Sequence, residues 1–180
     1  MTVRFPDEFP LLQTERLVLR KATETDAQAL FLLRSDPLVN TYLKRSPPAS
    51  VQEVVAFIEG VNASFAHKKG IYWIITMKTT GSVIGAACLF DFSRASDNCE
   101  VGFELLPRYQ GYGFMKEALW SMLQLVFQTL CIQAINASVH RANHSSLTLL
   151  QKAGFRPAEA PGPMPEQLLL LRLEQTSTSV

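Results

Sequence analysis

The stretch Pro107-Arg-Tyr-Gln-Gly-Tyr-Gly113 ends an apolar strand-like run and feeds directly into helix-forming sequence from Phe114. Glycines at 111 and 113 let backbone N–H groups converge without side-chain obstruction, and a helix that follows adds its unsatisfied donors and the positive end of its dipole. Such a loop can cradle a pyrophosphate, and Arg108 can add a charge-assisted contact. It lacks the Lys-Ser/Thr of a P-loop and the third glycine of a dinucleotide fingerprint. Taken alone, the loop reads equally well as a tight strand-to-helix connection. Upstream, Glu100 and Glu104 stand four apart on one strand and so share a face. They can relay protons, or they can be solvated or paired with Arg94 or a lysine. Asn143 and Ser146 stand where another helix starts, and both types are preferred caps there. His140 and His144 flank that loop without an evident triad partner and read as loop histidines. Cys99 alternates to the opposite face from Glu100 and reads as core.

These residues need elements to hold them. Arg16–Lys21 alternates as a strand, and Thr23–Asp26 is a capping box opening a helix to about Ser35. Pro37, Pro47 and Pro48 interrupt the chain before a second capping box, Ser50–Glu53, starts a helix to about His67. Ile71–Met77, Val83–Phe90 and Glu100–Leu106 read as an antiparallel meander, with Gly85 a candidate bulge and Asp91–Asn98 a turn. Phe114–Leu130 has the spacing of a long helix, Ile132–Val139 of a strand, and Ser145–Ala153 of a short helix ended by Gly154. Pro157–Pro165 is a loop before a last strand, Gln167–Leu173. The order β-α-α-β-β-β-α-β-α-β is a mixed α/β sheet in one domain spanning 1–180, with its core at about 12–173.

The 180 residues are 47% apolar and 18% charged, with a net charge of +1, which is a globular balance. No basic run or aromatic–basic stripe suggests nucleic acid, and no apolar run approaches a membrane span. Met1–Pro10 lacks the pattern of a secretory signal. The three cysteines, Cys88, Cys99 and Cys131, are scattered and read as reduced thiols, so a cytoplasmic location is expected. His67, His140 and His144 make no metal-site spacing, and no metal is expected.

Arg108-x-x-Gly111-x-Gly113 resembles the Q/R-x-x-G-x-G/A signature of the GNAT acetyltransferases, with EVGF before it and Lys116-Glu117-Ala118-Leu119 after it. A second block, from Val139 through Asn143, Ser146 and Leu150 to Gly154-Phe155, is similar to that family's next strand–loop–helix unit. Thr14–Arg20 resembles the opening strand of the RimJ/RimL-like branch, which acetylates N-termini of ribosomal proteins. The resemblance implies a sheet of about six to seven strands with helices on both faces, and acetyl-CoA as cosubstrate. It places the pantetheine arm along Phe103, Leu105 and Leu106 in a gap beside the motif strand. The pyrophosphate would then lie over Gln110, Gly111, Tyr112, Gly113, Phe114 and Met115, with Arg108 and Asn143 also touching the cofactor. Direct attack by a primary amine would follow, the acceptor being a protein N-terminus or a small amine such as an aminoglycoside, polyamine or amino acid. Glu100 matches the branch's acidic position and would serve as base, with Glu104 second. Many members carry a tyrosine as the acid for the leaving thiolate where this chain has Leu150; the branch uses the serine at Ser146. A non-catalytic acyl-CoA-binding module is the alternative, and either a monomer or a homodimer fits.

Overall fold

The computed structural model describes residues 4–93 and 97–175. An eight-stranded sheet runs in the order β1-β2-β3-β4-β5-β6-β8-β7. Its strands are β1 Leu12–Gln13, β2 Leu17–Lys21, β3 Gly70–Met77, β4 Val83–Ser93, β5 Asn98–Leu105, β6 Ala134–His140, β7 Arg156–Pro157 and β8 Leu168–Glu174. Every neighbouring pair is antiparallel except β5 and β6. The expected meander is β3–β4–β5. The two-residue strands β1 and β7 extend the sheet beyond the expected count; pieces so short carry no readable alternation.

Alternation along β3–β5 sends side chains into two cores. On one face, α1 (Ala27–Ser35) and α3 (Val51–Ala66) lay Leu30, Leu33, Val54 and Ile58 against Ile74 and Ala86. On the other, α4 (Phe114–Gln124) and α5 (His144–Lys152) lay Leu119, Met122 and Leu150 against Trp73, Leu89, Val101 and Ile135. The first capping box forms, and the second forms in half, its glutamate reaching the residue before the cap. Thr23 N donates to Asp26 Oδ2 at 2.9 Å, and Ser50 Oγ accepts from Glu53 N at 3.3 Å while Ala49 N donates to Glu53 Oε2. A short helix, α2 (Pro37–Asn40), occupies part of the proline-interrupted stretch, capped by Asp36. The long helix ends sooner than its apolar spacing suggests: Leu125–Thr129 is a π-helical turn, with Leu125 and Val126 still buried. Apolar periodicity reports burial and does not distinguish the two windings.

Gly85 sits where the β3–β4 register slips, Ile75 pairing with Gly85 and Thr76 with Val83. A Cβ at Gly85 would stand 2.4 Å from the Glu104 carbonyl oxygen. Only glycine lets β4 approach the end of β5 this closely, so Gly85 fixes the backbone on which Glu104 and Leu105 ride.

Candidate active site

β5 and β6 pair in parallel over three positions, Asn98 with Ala134, Cys99 with Ile135 and Glu100 with Asn136, and then separate. Beyond this fork, Val101–Leu105 has no strand on its β6 side. On that side a groove of about 650 Å³ opens, walled by Phe103, Glu104 and Leu105 of β5, the loop from Tyr109 to Gly113, the start of α4 and the first turns of α5. Gly111 and Gly113 adopt φ of +84° and +80°, a region closed to most side chains. Gly113 is the N-cap of α4, and with it the free N–H groups of the first turn lie at the groove. Lys116 and Lys152 add cationic walls from two helices.

The loop is held from behind by residues that its own sequence does not reveal. Glu117, one turn into α4, accepts from Arg16 N at 2.8 Å and Nε at 2.7 Å, and from the Thr14 hydroxyl. Arg16 in turn donates from Nη1 to the Tyr112 carbonyl at 3.1 Å and lies over the Phe114 ring. Burial would raise the Glu117 carboxyl, but the Thr14 and Arg16 donors outweigh it and hold it below its ordinary value of 4.5. The Thr14–Arg20 and Lys116–Leu119 segments thus meet at one clamp.

Most residues expected at the cofactor line this groove: Phe103, Leu105, Gln110, Gly111, Gly113, Phe114, Met115 and Asn143, together with Glu104 and Ser146. Three do not. Leu106 turns into the core under α1 and α3, Tyr112 is exposed with its carbonyl taken by Arg16, and Arg108 is exposed, its guanidinium 5.1 Å from the Tyr109 ring centre. Gln110 Nε2 donates to the Leu105 carbonyl at 2.9 Å. Asn143 Oδ1 accepts from Ser146 N at 3.1 Å, so it caps α5 and also faces the groove. Leu150 is fully buried, so no side chain from that position reaches the site. Cys99 is likewise fully buried.

The carboxylates share the face covered by α1 and α3, as their spacing requires: Glu100 pairs with Phe90, Gly102 with Cys88 and Glu104 with Ala86. Their surroundings differ. Glu100 stands at the fork and accepts at 3.2 Å from Ser138 N, two residues along β6 from its last pair with β5. It lines neither large cavity, though its neighbours Phe90 and Gly102 do. Arg94, a suggested partner, lies outside the described residues. Glu104 instead meets Arg45 Nη2 at 2.6 Å, Arg34 Nη1 at 3.9 Å and the Tyr72 hydroxyl at 3.4 Å. These belong to a second cavity of about 350 Å³, between the face of β3–β5 and the α1–α3 layer. It joins the first at Leu43, Phe103 and Glu104. Cys88 also lines it, and burial together with the Glu104 charge pushes that thiol up to about 12, so it stays protonated. His140 packs against Tyr42, ring centres 5.2 Å apart, and its Nδ1 accepts from Ala142 N.

Among the described residues no group of three or more His, Cys, Asp or Glu could hold a metal ion, and no helix is long and apolar enough to cross a membrane.

Residues 16–156 match the acetyltransferase (GNAT) domain family. The N-acetyltransferase YoaA of Bacillus subtilis is 31% identical over 148 residues, covering 82% of this chain and 84% of that protein. RimJ of Mycobacterium smegmatis, solved in complex with CoA-disulfide, superposes with a TM-score of 0.77 at 19% identity, over 91% of this chain and 86% of that one. The self-immunity acetyltransferase MccE, solved with acetyl-CoA and AMP, gives 0.76 at 18% identity, over 89% and 93%. At these identities the two structures speak for the fold alone; the family match carries the assignment, and the chain belongs to the GNAT acetyltransferases.

Proposed function

We propose that the groove binds acetyl-CoA and that the chain transfers its acetyl group directly to a primary amine brought through the second cavity. The fork between β5 and β6 carries this reading. It leaves the β5 edge from Val101 to Glu104 without a strand partner and able to pair with an extended, strand-like arm, and it leads into a helix N-terminus suited to pyrophosphate. RimJ and MccE were solved with CoA-type ligands on the same fold. In this reading the N–H groups from Gly111 to Met115 hold the pyrophosphate, Lys116 and Lys152 add charge, and Phe103–Leu105 align the arm.

The incoming amine must lose a proton before it attacks, and the departing thiolate must gain one. Glu100 is the proposed proton acceptor, reached through water along β5, since four residues at roughly 3.3 Å each separate it from Glu104. Among the described residues the hydrogen-bond donor to Glu100 is a single backbone N–H, so its carboxylate retains acceptor capacity toward the fork. Glu104 is already engaged by two guanidinium groups, so it serves to anchor the amine rather than to carry its proton away. Ser146, at the groove with a free hydroxyl role beside its capped N–H, is the proposed proton donor to the thiolate. The Cys88 thiol stays protonated, which favours direct attack over an acyl-enzyme.

Acetyl-CoA titrated calorimetrically should bind as one equivalent, and thiol release should follow addition of an amine. No binding at millimolar ligand would reject the site. Binding without thiol release from any amine, protein N-termini included, would instead identify an acyl-CoA-binding module.

A further inference from the structure

The second cavity has a charge pattern that selects among amines. Among the described residues lining it, the charged ones are Arg34, Arg45 and Glu104, two cations to one anion, all at the end shared with the cofactor groove. The arginines are held in place. Arg45 Nε donates to Asn40 Oδ1 at 2.8 Å, while Asn40 Nδ2 donates to the carbonyls of Arg34 and Asp36, so the turn between α1 and α2 aims this side chain. Arg34 lies over the Phe57 ring, 3.8 Å from its centre. Although Arg45 Nη2 is 2.6 Å from Glu104 Oε2, the approach makes no hydrogen bond, and this buried nitrogen has no hydrogen-bond acceptor. A guanidinium so placed is a fork for a carboxylate. Away from the charged end the walls are mostly apolar, among them Val61, Leu89 and Phe90. The volume, about 350 Å³, sits at the small end of the roughly 300–1,000 Å³ usual for small-molecule sites.

Resting on the acetyl-transfer reading, we infer that the acceptor is a small zwitterion: an apolar α-amino acid whose carboxylate binds Arg45 and Arg34 and whose amine lies at Glu104. An amine without an anion would add a positive charge beside two arginines and one carboxylate. A zwitterion leaves the net charge of the cavity unchanged and gives the Arg45 guanidinium, whose ion pair with Glu104 is poorly aligned for a hydrogen bond, a better-aligned acceptor. Its side chain then extends toward Phe57 and Phe90, and its nitrogen faces the junction with the groove. There the nitrogen forms the new C–N bond as the thioester C–S bond breaks. The ammonium gives up one proton before attack and one after, of which one returns to the thiolate and one leaves to solvent.

The test compares L-phenylalanine, L-phenylalaninamide and a tetrapeptide beginning with phenylalanine, with acetyl-CoA affinity measured in parallel. The amide and peptide amines are less basic, hence more often unprotonated at neutral pH, so any bias runs against the inference. The free amino acid should still exceed both in kcat/KM by about 10²-fold, as a site built around a polar group rejects ligands lacking it. Arg45→Ala should pull that ratio toward one, and Arg45→Lys should restore part of it as a point charge. Acetyl-CoA affinity shows whether the groove survives in each variant. Equal or better use of the amide or the peptide by the wild type overturns the zwitterion while leaving acetyl transfer standing, and it does so even if the variants fail to fold. A ratio unmoved in folded Arg45→Ala overturns the role of Arg45. Acetyl-CoA that binds without acetylating any of the three overturns the inference, and acetyl-CoA that does not bind removes the reading beneath it.

Discussion

The cofactor groove and the acceptor cavity share Leu43, Phe103 and Glu104 but are built on opposite plans. The groove takes its chemistry from backbone: an unpaired strand edge, two glycines at positive φ and a helix N-terminus, nearly all between Asn98 and Gln124. The cavity takes its chemistry from side chains on separate elements, Arg34 on α1, Arg45 in the loop after α2 and Glu104 on β5. A site made of backbone depends on conformation, so it tolerates most side-chain changes and fails where φ is constrained. A site made of side chains should fail wherever one charged group is removed, and should change preference before it loses its fold.

Gly113→Val tests the first half of that contrast most severely. A β-branched residue at φ +80° is strained, and its side chain would crowd the N–H groups of the α4 turn. Strain of about 1–3 kcal/mol plus lost charge-assisted hydrogen bonds should weaken acetyl-CoA roughly 10³-fold by calorimetry, with circular dichroism unchanged. Normal binding by this variant would put the pyrophosphate elsewhere. Next in size is Glu100→Gln, which keeps shape but removes basicity. Turnover at neutral pH should fall about 10²-fold with acetyl-CoA affinity retained, and raising the pH should recover part of it as solvent deprotonates the amine. Equal activity of wild type and variant between about pH 6 and 9, on either side of the amine's own titration, would make Glu100 structural. Glu104→Gln should act mainly through KM for the amine.

The same contrast explains what could be read from the chain alone. The groove was legible because its parts are neighbours in sequence, and glycine spacing, helix start and strand edge all fall within one segment. Gly85 was legible as an irregularity, since a glycine inside a strand-forming run often marks a bulge or a close backbone approach. The ion cluster was not. Arg45 sits beside Pro47 and Pro48, where the sequence signals only a break, and its partner lies across the sheet. The partners of Glu104 could not be named because a carboxylate's neighbours follow from topology, which periodicity leaves open. The Arg16–Glu117 clamp escaped for the same reason, though both residues lay within segments that resemble the family.

That clamp sharpens the contrast, because it is a side-chain device serving the backbone site. Arg16→Ala frees the Tyr112 carbonyl and unpairs Glu117, and it should weaken acetyl-CoA roughly tenfold, the scale of one lost charge-assisted hydrogen bond. The pH dependence has a definite sign. The folded Glu117 carboxyl titrates below its ordinary value of 4.5, so its contribution is complete above that value and disappears as the pH falls through the folded one. Melting temperatures of wild type and Glu117→Gln should therefore differ at pH 7 and converge in acid once the pH has fallen through the lowered folded value, as linkage requires. A gap that persists into acid would mean the pair contributes by shape rather than charge.

Arg108 should matter least, although it opens the glycine motif of the loop. It is exposed, lines neither cavity and rests on the Tyr109 ring. An exposed guanidinium reaching toward phosphate across solvent contributes little, because water screens the charge and the long side chain loses freedom on ordering. Arg108→Ala should thus weaken acetyl-CoA only about two- to threefold, near the median for exposed ion pairs, and the loss should shrink as salt is raised. Calorimetry at two salt concentrations separates this from the alternative. A loss as deep as that of Gly113→Val, unchanged by salt, would mean the guanidinium folds into the groove when the ligand binds, and the cofactor site would then depend on a side chain after all.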